Sequence, residues 1–136
     1  MDDARTDDTR AEPQKYEVSV RVKSAYLEER SEPGRNQYVF AYTITLANKG
    51  TVPAQLISRR WVITDAEQNV QEVRGLGVVG QQPLLQPGET FEYTSGATIA
   101  TAVGTMQGAY QMVAEDGHPF EVPIPSFTLS VPRILH

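Results

Sequence analysis

The sequence predicts an all-β protein whose strands form an antiparallel sandwich. Apolar and polar side chains alternate with a period of two along several short segments, as they do in half-buried strands. Clusters of Gly, Pro, Asn and Asp separate these segments, as turns do. No window of the chain keeps the spacing of apolar residues that an amphipathic helix requires. These observations indicate one domain of short strands joined by turns.

The clearest predicted strand spans Gln37–Asn48. Every second residue along it is aromatic or large and aliphatic, and the turn residues Asn48-Lys49-Gly50 end it. One face of this strand should be buried, with Tyr38, Phe40, Tyr42, Ile44 and Leu46.

The next strand along the chain is predicted over Ala54–Thr64. Its alternation places Ile57, Trp61 and Ile63 on one face, with Trp61 at the centre of the core. Arg59 shares that face, so its guanidinium should lie at a sheet end or have a partner.

The remaining strands lie before and after these two. Residues Gly75–Gln86 are predicted to form a long loop, and Gly96–Gly104 either a connection or an irregular edge strand. Asp116-Gly117 predicts a hairpin turn, and Pro123 and Pro125 place their strand at a sheet edge or kink it. The predicted strands are Tyr16–Tyr26, Val70–Arg74, Thr90–Ser95, Gly108–Ala114, Phe120–Ile124 and Phe127–Val131.

This order of strands is typical of an immunoglobulin or fibronectin type III-like β-sandwich, which holds about seven to nine strands. Two aromatic residues suit that architecture. Trp61 lies on a middle strand and should be a core residue. Tyr110 lies on a late strand, where it could form a corner by donating its hydroxyl to the main chain.

The composition excludes several classes of protein. Hydrophobic residues make up 40% of the 136 residues and charged residues 21%, as in ordinary globular domains. The chain has no cysteine, which excludes disulfides, cysteine-based zinc sites, iron–sulfur clusters and a thiol nucleophile. A net charge of −5 argues against binding to nucleic acid or an anionic membrane. No apolar run is long enough to span a membrane, so we expect a cytoplasmic protein.

Residues 1–14 differ from the rest of the chain. They hold five acidic side chains against two arginines and almost nothing apolar, so we expect a disordered acidic tail that can be deleted without loss of stability. The folded domain is then expected to be residues 15–136. A specific acidic docking motif in the tail is the alternative that we consider weaker.

A Gly-x-Gly-x-x-Gly motif occupies residues 75–80 and is the most conspicuous signal in the chain. In a dinucleotide-binding fold this motif precedes a helix whose N-terminus holds a pyrophosphate. Here Pro83 and Pro87 follow it and preclude that helix. We therefore predict an ordered loop between strands, in which free N–H groups could still hold an anion weakly. Its exposed apolar side chains could instead contact a protein; the residues of this candidate site are Gly75, Leu76, Gly77, Val78, Val79 and Gly80.

Two arginines extend this candidate site. Arg60 should point away from the core and lie near Arg74 across a hairpin predicted at Asp65–Asn69. Together they could attract a phosphate or an acidic partner. The interpretation that we favour is ordinary charge balance with Glu72 across the strands.

Catalytic and metal-binding patterns are lacking. The two histidines, His118 and His136, are far apart in sequence, and the turn pair of Asp116 and His118 provides only half of a metal site. No nucleophile elbow is present, and no histidine is placed to act as a base. We therefore expect no enzymatic activity, no cofactor and no metal site.

Several segments together resemble the bacterial ApaG family, over about residues 15–136. The motif Arg60-Trp61-Val62-Ile63-Thr64-Asp65 and the whole of the glycine-rich loop carry much of this resemblance. The matching segments are residues 58–65, 70–83, 85–89, 93–96, 104–110 and 122–127.

This resemblance implies a fibronectin type III-like sandwich and no known enzymatic activity. Eukaryotic relatives of the domain occur in an F-box protein and in a polymerase-interacting protein, where the domain looks like an interaction module. The resemblance also implies a link to diadenosine tetraphosphate hydrolase and to cobalt and magnesium homeostasis. Many similar members have His in place of Arg60 and an acidic residue in place of Leu76, which argues against a metal ligand at either position here.

Two functions are consistent with these residues. The first is a non-catalytic binding module whose unidentified partner is another protein. The alternative is a regulator that binds a small ligand or ion, using Gly75–Gly80 for a polyphosphate or nucleotide, with weak affinity because no helix dipole assists.

Overall fold

The protein folds into two antiparallel sheets packed face to face, which confirms the predicted sandwich. The fold is taken from a computed structural model that describes residues 14–132. Its strands are β1 (Val18–Tyr26), β2 (Tyr38–Asn48), β3 (Ala54–Asp65), β4 (Val70–Leu76), β5 (Leu84–Leu85), β6 (Thr90–Ile99), β7 (Val103–Ala114) and β8 (Pro119–Ser130).

The strands divide unequally between the sheets. The small sheet has the order β1-β2-β6 and the large sheet the order β4-β3-β7-β8, with the two residues of β5 also paired to β3. The helical segments in residues 14–132 are two 3-10 turns, Glu28–Arg30 and Pro33–Arg35. No helix within this range has the length and apolar composition to cross a membrane.

The core lies between the sheets and contains the residues predicted from alternation. Phe40, Tyr42, Trp61 and Leu129 are all buried. Trp61 packs edge-on against Tyr42, with ring centres 5.2 Å apart, and against Phe127 at 5.9 Å. The Tyr42 contact joins the small sheet to the large one, and the Phe127 contact lies within the large sheet.

One predicted core position is wrong. β3 contains a bulge between Leu56 and Ser58, so the inward face shifts by one residue at that point. Leu56 is fully buried, and Ile57, predicted to face the core, is only partly buried. Alternation cannot locate a bulge, because the extra residue is defined by the strand on the other side of the pair.

Several strand boundaries also differ from the prediction. β6 continues through Gly96 to Ile99, and β7 begins at Val103 instead of Gly108, so the stretch Gly96–Gly104 is strand at both ends with a connection at residues 100–102. The two strands predicted at the C-terminus are one continuous strand, β8. A register shift opposite Gln107 accommodates Pro125 and Ser126 as a bulge in β8. As predicted, this proline-bearing strand lies at a sheet edge.

The predicted acidic tail lies outside the described residues, apart from Gln14. Both the tail and the boundary at residues 14 and 15 remain predictions.

Candidate functional site

The first glycine of the motif makes room for a half-buried arginine. Gly75 belongs to the end of β4 and pairs with Arg59 on β3, so the predicted loop begins two residues later than expected. A Cβ atom on Gly75 would lie 2.8 Å from Arg59 Nη1. In the space that remains, Nη1 donates hydrogen bonds to the carbonyl oxygens of Gly77 at 2.8 Å and Leu76 at 3.1 Å. Arg59 thus ties the strand end to the loop.

The other two glycines shape a tight turn. Gly77 has a φ of +64°, and a Cβ atom there would collide with the carbonyl of Gln81. Val78 and Gln81 exchange backbone hydrogen bonds of 2.8 Å around Val79 and Gly80, whose φ angles are +41° and +80°. Two positive φ angles in a two-residue hairpin are the signature of a type I′ turn. The motif therefore encodes a hairpin tip rather than a phosphate cradle.

Val79 is an unusual residue for this position. A β-branched side chain is strongly disfavoured at positive φ, where Gly, Asn and Asp dominate. Val79 is nevertheless held there with about half of its surface exposed. Strained residues of this kind persist where the surrounding structure enforces them, and they concentrate at functional sites.

The structure corrects the predicted exposure of the loop. Leu76 and Val79 are exposed as expected, with Leu76 at 75% of its full accessible area. Val78 is only 1% exposed and packs in the core, so it cannot contact a partner. Alternation along an extended strand would place Val78 on the same outer face as Leu76, but the positive φ of Gly77 breaks the extended conformation and turns Val78 inward.

The loop's N–H groups are largely used within the chain. Those of Gly77, Val78 and Gln81 donate to the carbonyls of Ile57, Gln81 and Val78. No helix follows the loop in the described residues; the chain passes through Pro83 into β5. The prediction of a loop between strands without a helical phosphate cradle is therefore confirmed for residues 77–80.

Arg60 and Arg74 lie together on the outer face of the large sheet. They are directly opposite one another in the β3–β4 register, as the sequence predicts. Glu72 joins them: its Oε2 accepts from Arg60 Nε at 2.8 Å and from Arg74 Nη2 at 2.9 Å. The Arg60 hydrogen bond is the main reason that the pKa of Glu72 lies below its usual value. One carboxylate thus balances two guanidinium groups, which leaves this patch positive.

A shallow groove of about 750 Å³ runs beside these arginines. Sequence analysis missed its polar floor, where Ser58 Oγ donates to Gln111 at 3.0 Å and Gln111 Nε2 donates to Glu121 at 2.9 Å. These three residues come from β3, β7 and β8. The one signal in the sequence is that each occupies an outward-facing position of its strand. The groove is lined by Ser58, Arg59, Arg60, Arg74, Gly75, Leu76, Gln111 and Glu121.

Exposed apolar side chains flank the groove. Leu84 on β5 and Val113 on β7 both lie opposite Gln55 of β3, on the same outer face as Leu76. We call this surface the large-sheet face, consisting of Leu76, Leu84 and Val113 together with the groove residues. Leu84 could not be recognised from the sequence, because a two-residue strand such as β5 leaves no periodic pattern. Val113 has the outward parity of the strand predicted over Gly108–Ala114, and only the sheet register places it beside Gln55 together with Leu84.

Beneath the loop lies a buried cluster of tyrosines. The hydroxyls of Tyr93 and Tyr110 are 2.5 Å apart, so Tyr110 bonds to a side chain and not, as predicted, to the main chain. Burial raises the pKa of Tyr93 to about 12 and that of Tyr110 further. It also raises the pKa of Tyr42. The nearby Arg59 guanidinium opposes these shifts without cancelling them. All three hydroxyls therefore stay protonated at neutral pH.

Asp116 and His118 both contact Tyr16 in the N-terminal segment. Tyr16 donates its hydroxyl to Asp116 Oδ2 at 2.6 Å and stacks on the His118 ring at 4.1 Å. The hydrogen bond from Tyr16 is the first cause that lowers the pKa of Asp116 to about 2. Across residues 14–132, no group of three His, Asp or Glu side chains is placed to hold a metal ion.

The chain is similar to known proteins over most of its length. Residues 28–114 match the family model of the ApaG domain. The chain is 68% identical to Protein ApaG of Thiobacillus denitrificans over 126 residues, which cover 93% of this chain and 99% of that protein. It is 67% identical to Protein ApaG of Ralstonia nicotianae over 122 residues, covering 90% and 98%.

A solved structure agrees with the fold as well. The crystal structure of an ApaA protein from Bordetella pertussis matches with a TM-score of 0.88 and 58% identity, over 90% of this chain and 100% of that chain. The family match, the high identity to these relatives and the common sandwich lead to one conclusion. The chain belongs to the ApaG family.

Proposed function

We propose that this chain is a non-catalytic, cytoplasmic module that binds another protein through its large-sheet face. One observation carries the proposal. Among the described residues, the large apolar side chains exposed on strands all belong to the large sheet. They are Val70, Leu76, Leu84, Val103 and Val113. Exposed apolar side chains that gather on one sheet of a small protein favour an interaction site on that sheet.

The charges on this face specify the partner's chemistry. Arg60 and Arg74 share the single carboxylate of Glu72, so a second carboxylate from a partner would balance the remaining positive charge of this pair. Leu76 lies beside them with three quarters of its area exposed. A protein segment that carries Asp or Glu next to apolar side chains fits both features. Charge complementarity would speed encounter, and burial of Leu76 and Leu84 would provide affinity.

The backbone of the loop favours a protein over a polyphosphate. A nest that binds an anion needs consecutive free N–H groups. Here the N–H groups of Gly77, Val78 and Gln81 already bond to carbonyl oxygens of the chain, so at most the two N–H groups at the hairpin tip, those of Val79 and Gly80, are left for an anion. A nucleotide would therefore depend on Arg60 and Arg74, which are solvated and paired with Glu72. The link to cobalt and magnesium homeostasis that the family resemblance implies would then pass through the protein partner.

Affinity capture with matched variants tests the proposal. The bait is the full chain as wild type, as Leu76→Asp/Leu84→Asp on the large-sheet face, and as Thr90→Asp/Thr94→Asp on the exposed outer face of the small sheet. All four positions are exposed, so each variant should melt within a few degrees of wild type. We expect proteins that wild type and the small-sheet variant retain and that the large-sheet variant loses. Equal retention by all three baits would contradict the proposal.

Titration with ATP, GTP and diadenosine tetraphosphate provides the second arm. We expect dissociation constants for these nucleotides no tighter than about millimolar, since only a few exposed charged groups are available to bind them. A micromolar constant that is lost in Arg74→Ala would support the ligand-binding alternative instead.

A further inference from the structure

The two edges of the large sheet are built differently. β8 forms one edge and carries Pro119, Pro123 and Pro125, together with the bulge at Pro125 and Ser126. Prolines and bulges prevent another strand from adding to an edge, because they remove donors and twist the ladder. β4 forms the opposite edge, pairs only with β3 among residues 14–132, and has no proline in Val70–Leu76.

The open side of β4 presents a regular row of backbone groups. Gly77 N–H bonds to Ile57 and Asn69 C=O accepts from Asp65, so odd-numbered residues of this segment point their backbone groups toward β3. In an antiparallel strand the even-numbered residues then point theirs the other way. The N–H and C=O groups of Val70, Glu72, Arg74 and Leu76 therefore face outward from the sheet edge.

We propose that this edge pairs with β4 of a second copy of the chain, antiparallel and with its two-fold axis at Val73. In that register Val70 of each copy lies opposite Leu76 of the other, and Glu72 lies opposite Arg74. Each of these pairs can exchange both N–H···O bonds, because all four residues present their backbone groups to the open edge. The proposal is independent of the proposed function, since it needs no other protein.

The side chains select this register over its neighbours. Shifting one β4 strand by two residues along the other keeps the same backbone groups facing each other, but it places Glu72 opposite Glu72 or Arg74 opposite Arg74. Like charges directly opposite each other are unfavourable. The chosen register matches the exposed Val70 and Leu76 with each other. It also relieves a conflict within one copy, where Arg60 and Arg74 are direct cross-strand neighbours. Glu72 of the second copy would flank Arg74 on its other side.

The consequence is one continuous sheet through both copies. The large-sheet faces of the two copies would then lie side by side on the same surface of the dimer. Each copy of the module could thus present its groove to a partner together with the other.

Sedimentation equilibrium with charge-reversal variants tests the inference. Wild type is expected to associate reversibly to dimers between about 10 µM and about 1 mM. Glu72→Lys places a lysine opposite Arg74 of the second copy, and Arg74→Glu places a glutamate opposite Glu72. Each single variant alone should therefore dimerise at least about tenfold more weakly than wild type. Both positions are exposed on an edge strand, and circular dichroism melting checks that each variant is folded.

Mixing the two single variants gives the decisive result. In the mixed dimer the introduced lysine lies opposite the introduced glutamate, and the native Arg74 of one copy lies opposite the native Glu72 of the other. The inference thus predicts a heterodimer at least as stable as the wild-type dimer. The double variant Glu72→Lys/Arg74→Glu should also recover dimerisation. Wild type that stays monomeric over the whole range would overturn the inference, as would single variants that dimerise like wild type or mixtures that form no heterodimer.

Discussion

The outer faces of the two sheets expose different kinds of side chain to water. On the small sheet, polar side chains pair across the strands: Thr43 and Thr94 share a hydrogen bond of 2.8 Å, and Thr45 donates to Glu92 at 3.1 Å. Both faces carry more cations than carboxylates: Arg21 and Lys23 lie beside Glu92 on the small sheet, and Arg60 and Arg74 lie beside Glu72 on the large one. The difference is in the apolar side chains. Among the described residues, the large sheet exposes Leu76, Leu84 and Val113, and no strand of the small sheet exposes a large apolar side chain.

This difference distinguishes side chains that stabilise the fold from side chains that are available for binding. Cross-strand polar pairs add a few tenths of a kcal/mol to about 1 kcal/mol to a sheet. Exposed leucine and valine side chains add nothing comparable to the free energy of folding, since their area stays in water. The large-sheet face is thus a feature that stability does not explain.

The largest expected effect concerns the core that both faces share. Trp61→Ala should lower the free energy of unfolding by about 3–5 kcal/mol, because it removes the buried ring that packs against both Tyr42 and Phe127 and leaves a cavity. Val62→Ala, one residue away on the outer face, is the control and should cost less than about 1.5 kcal/mol. Urea denaturation measures both. Similar midpoints for the two variants would show that Trp61 does not link the sheets.

The second prediction concerns the tyrosines beneath the large-sheet face. Their folded-state pKa values are raised, so the folded protein holds protons that the unfolded chain releases above its ordinary tyrosine pKa of about 10. The stabilisation is fully present below pH 10 and is lost as pH rises, over the window up to about 12 for Tyr93. Each tyrosine should contribute a slope of about 1.4 kcal/mol per pH unit in that window.

Tyr93→Phe is the variant that checks this assignment. It removes one ionisable group and one partner of the Tyr93–Tyr110 hydrogen bond. The free energy of unfolding should be lower at pH 8 but fall less steeply above pH 10, when measured by urea denaturation across pH. An unchanged alkaline slope would mean that other groups, such as lysines, control the loss.

The third prediction concerns the glycine-rich hairpin. Gly77→Ala should destabilise the domain by about 1–3 kcal/mol, because alanine resists a φ of +64° and its methyl group would collide with Gln81. Gly34→Ala is the matched control, since nothing lies within 4 Å of its Cβ position and its φ is not positive. The control should shift stability by no more than about 0.5 kcal/mol. Equal effects would contradict the turn geometry described above.

The smallest predicted effect is a gain in stability. Val79→Asn replaces a β-branched residue with the residue that type I′ turns prefer before glycine, and should stabilise the domain by about 0.5–1 kcal/mol. Val113→Asn, on a regular strand of the same face, should give no such gain. Thermal melting of the two variants decides the point. A loss of stability in Val79→Asn would show that the valine is held by packing and not under strain.

The sequence was sufficient for the sandwich but not for its irregularities. Period-two alternation identified the buried faces of β2 and the second half of β3 because each residue there faces one environment along a regular strand. The bulge after Leu56 depends on how β3 meets β7, which no local pattern contains. The merging of the two C-terminal segments into β8 likewise depends on β7 as a continuous template.

The candidate site could be located in part. The glycine spacing and the parity of Arg60 and Arg74 brought together residues that do lie on one face. The inward turn of Val78 could not be predicted, because it follows from positive φ angles at Gly77 and Val79. Ser58, Gln111 and Glu121 come from three strands and become neighbours only through the register of the sheet.

Site-specific photo-crosslinking is the measurement that tests the account most directly. A benzophenone amino acid is placed at position 76 on the large-sheet face or at position 94 on the small-sheet face, and the full chain is irradiated in cells. Both native side chains are exposed, so neither replacement should disturb the fold. The account predicts a discrete crosslinked protein other than a second copy of the chain from position 76, and none from position 94. Crosslinks from position 94 with none from position 76 would contradict a binding role for the large-sheet face.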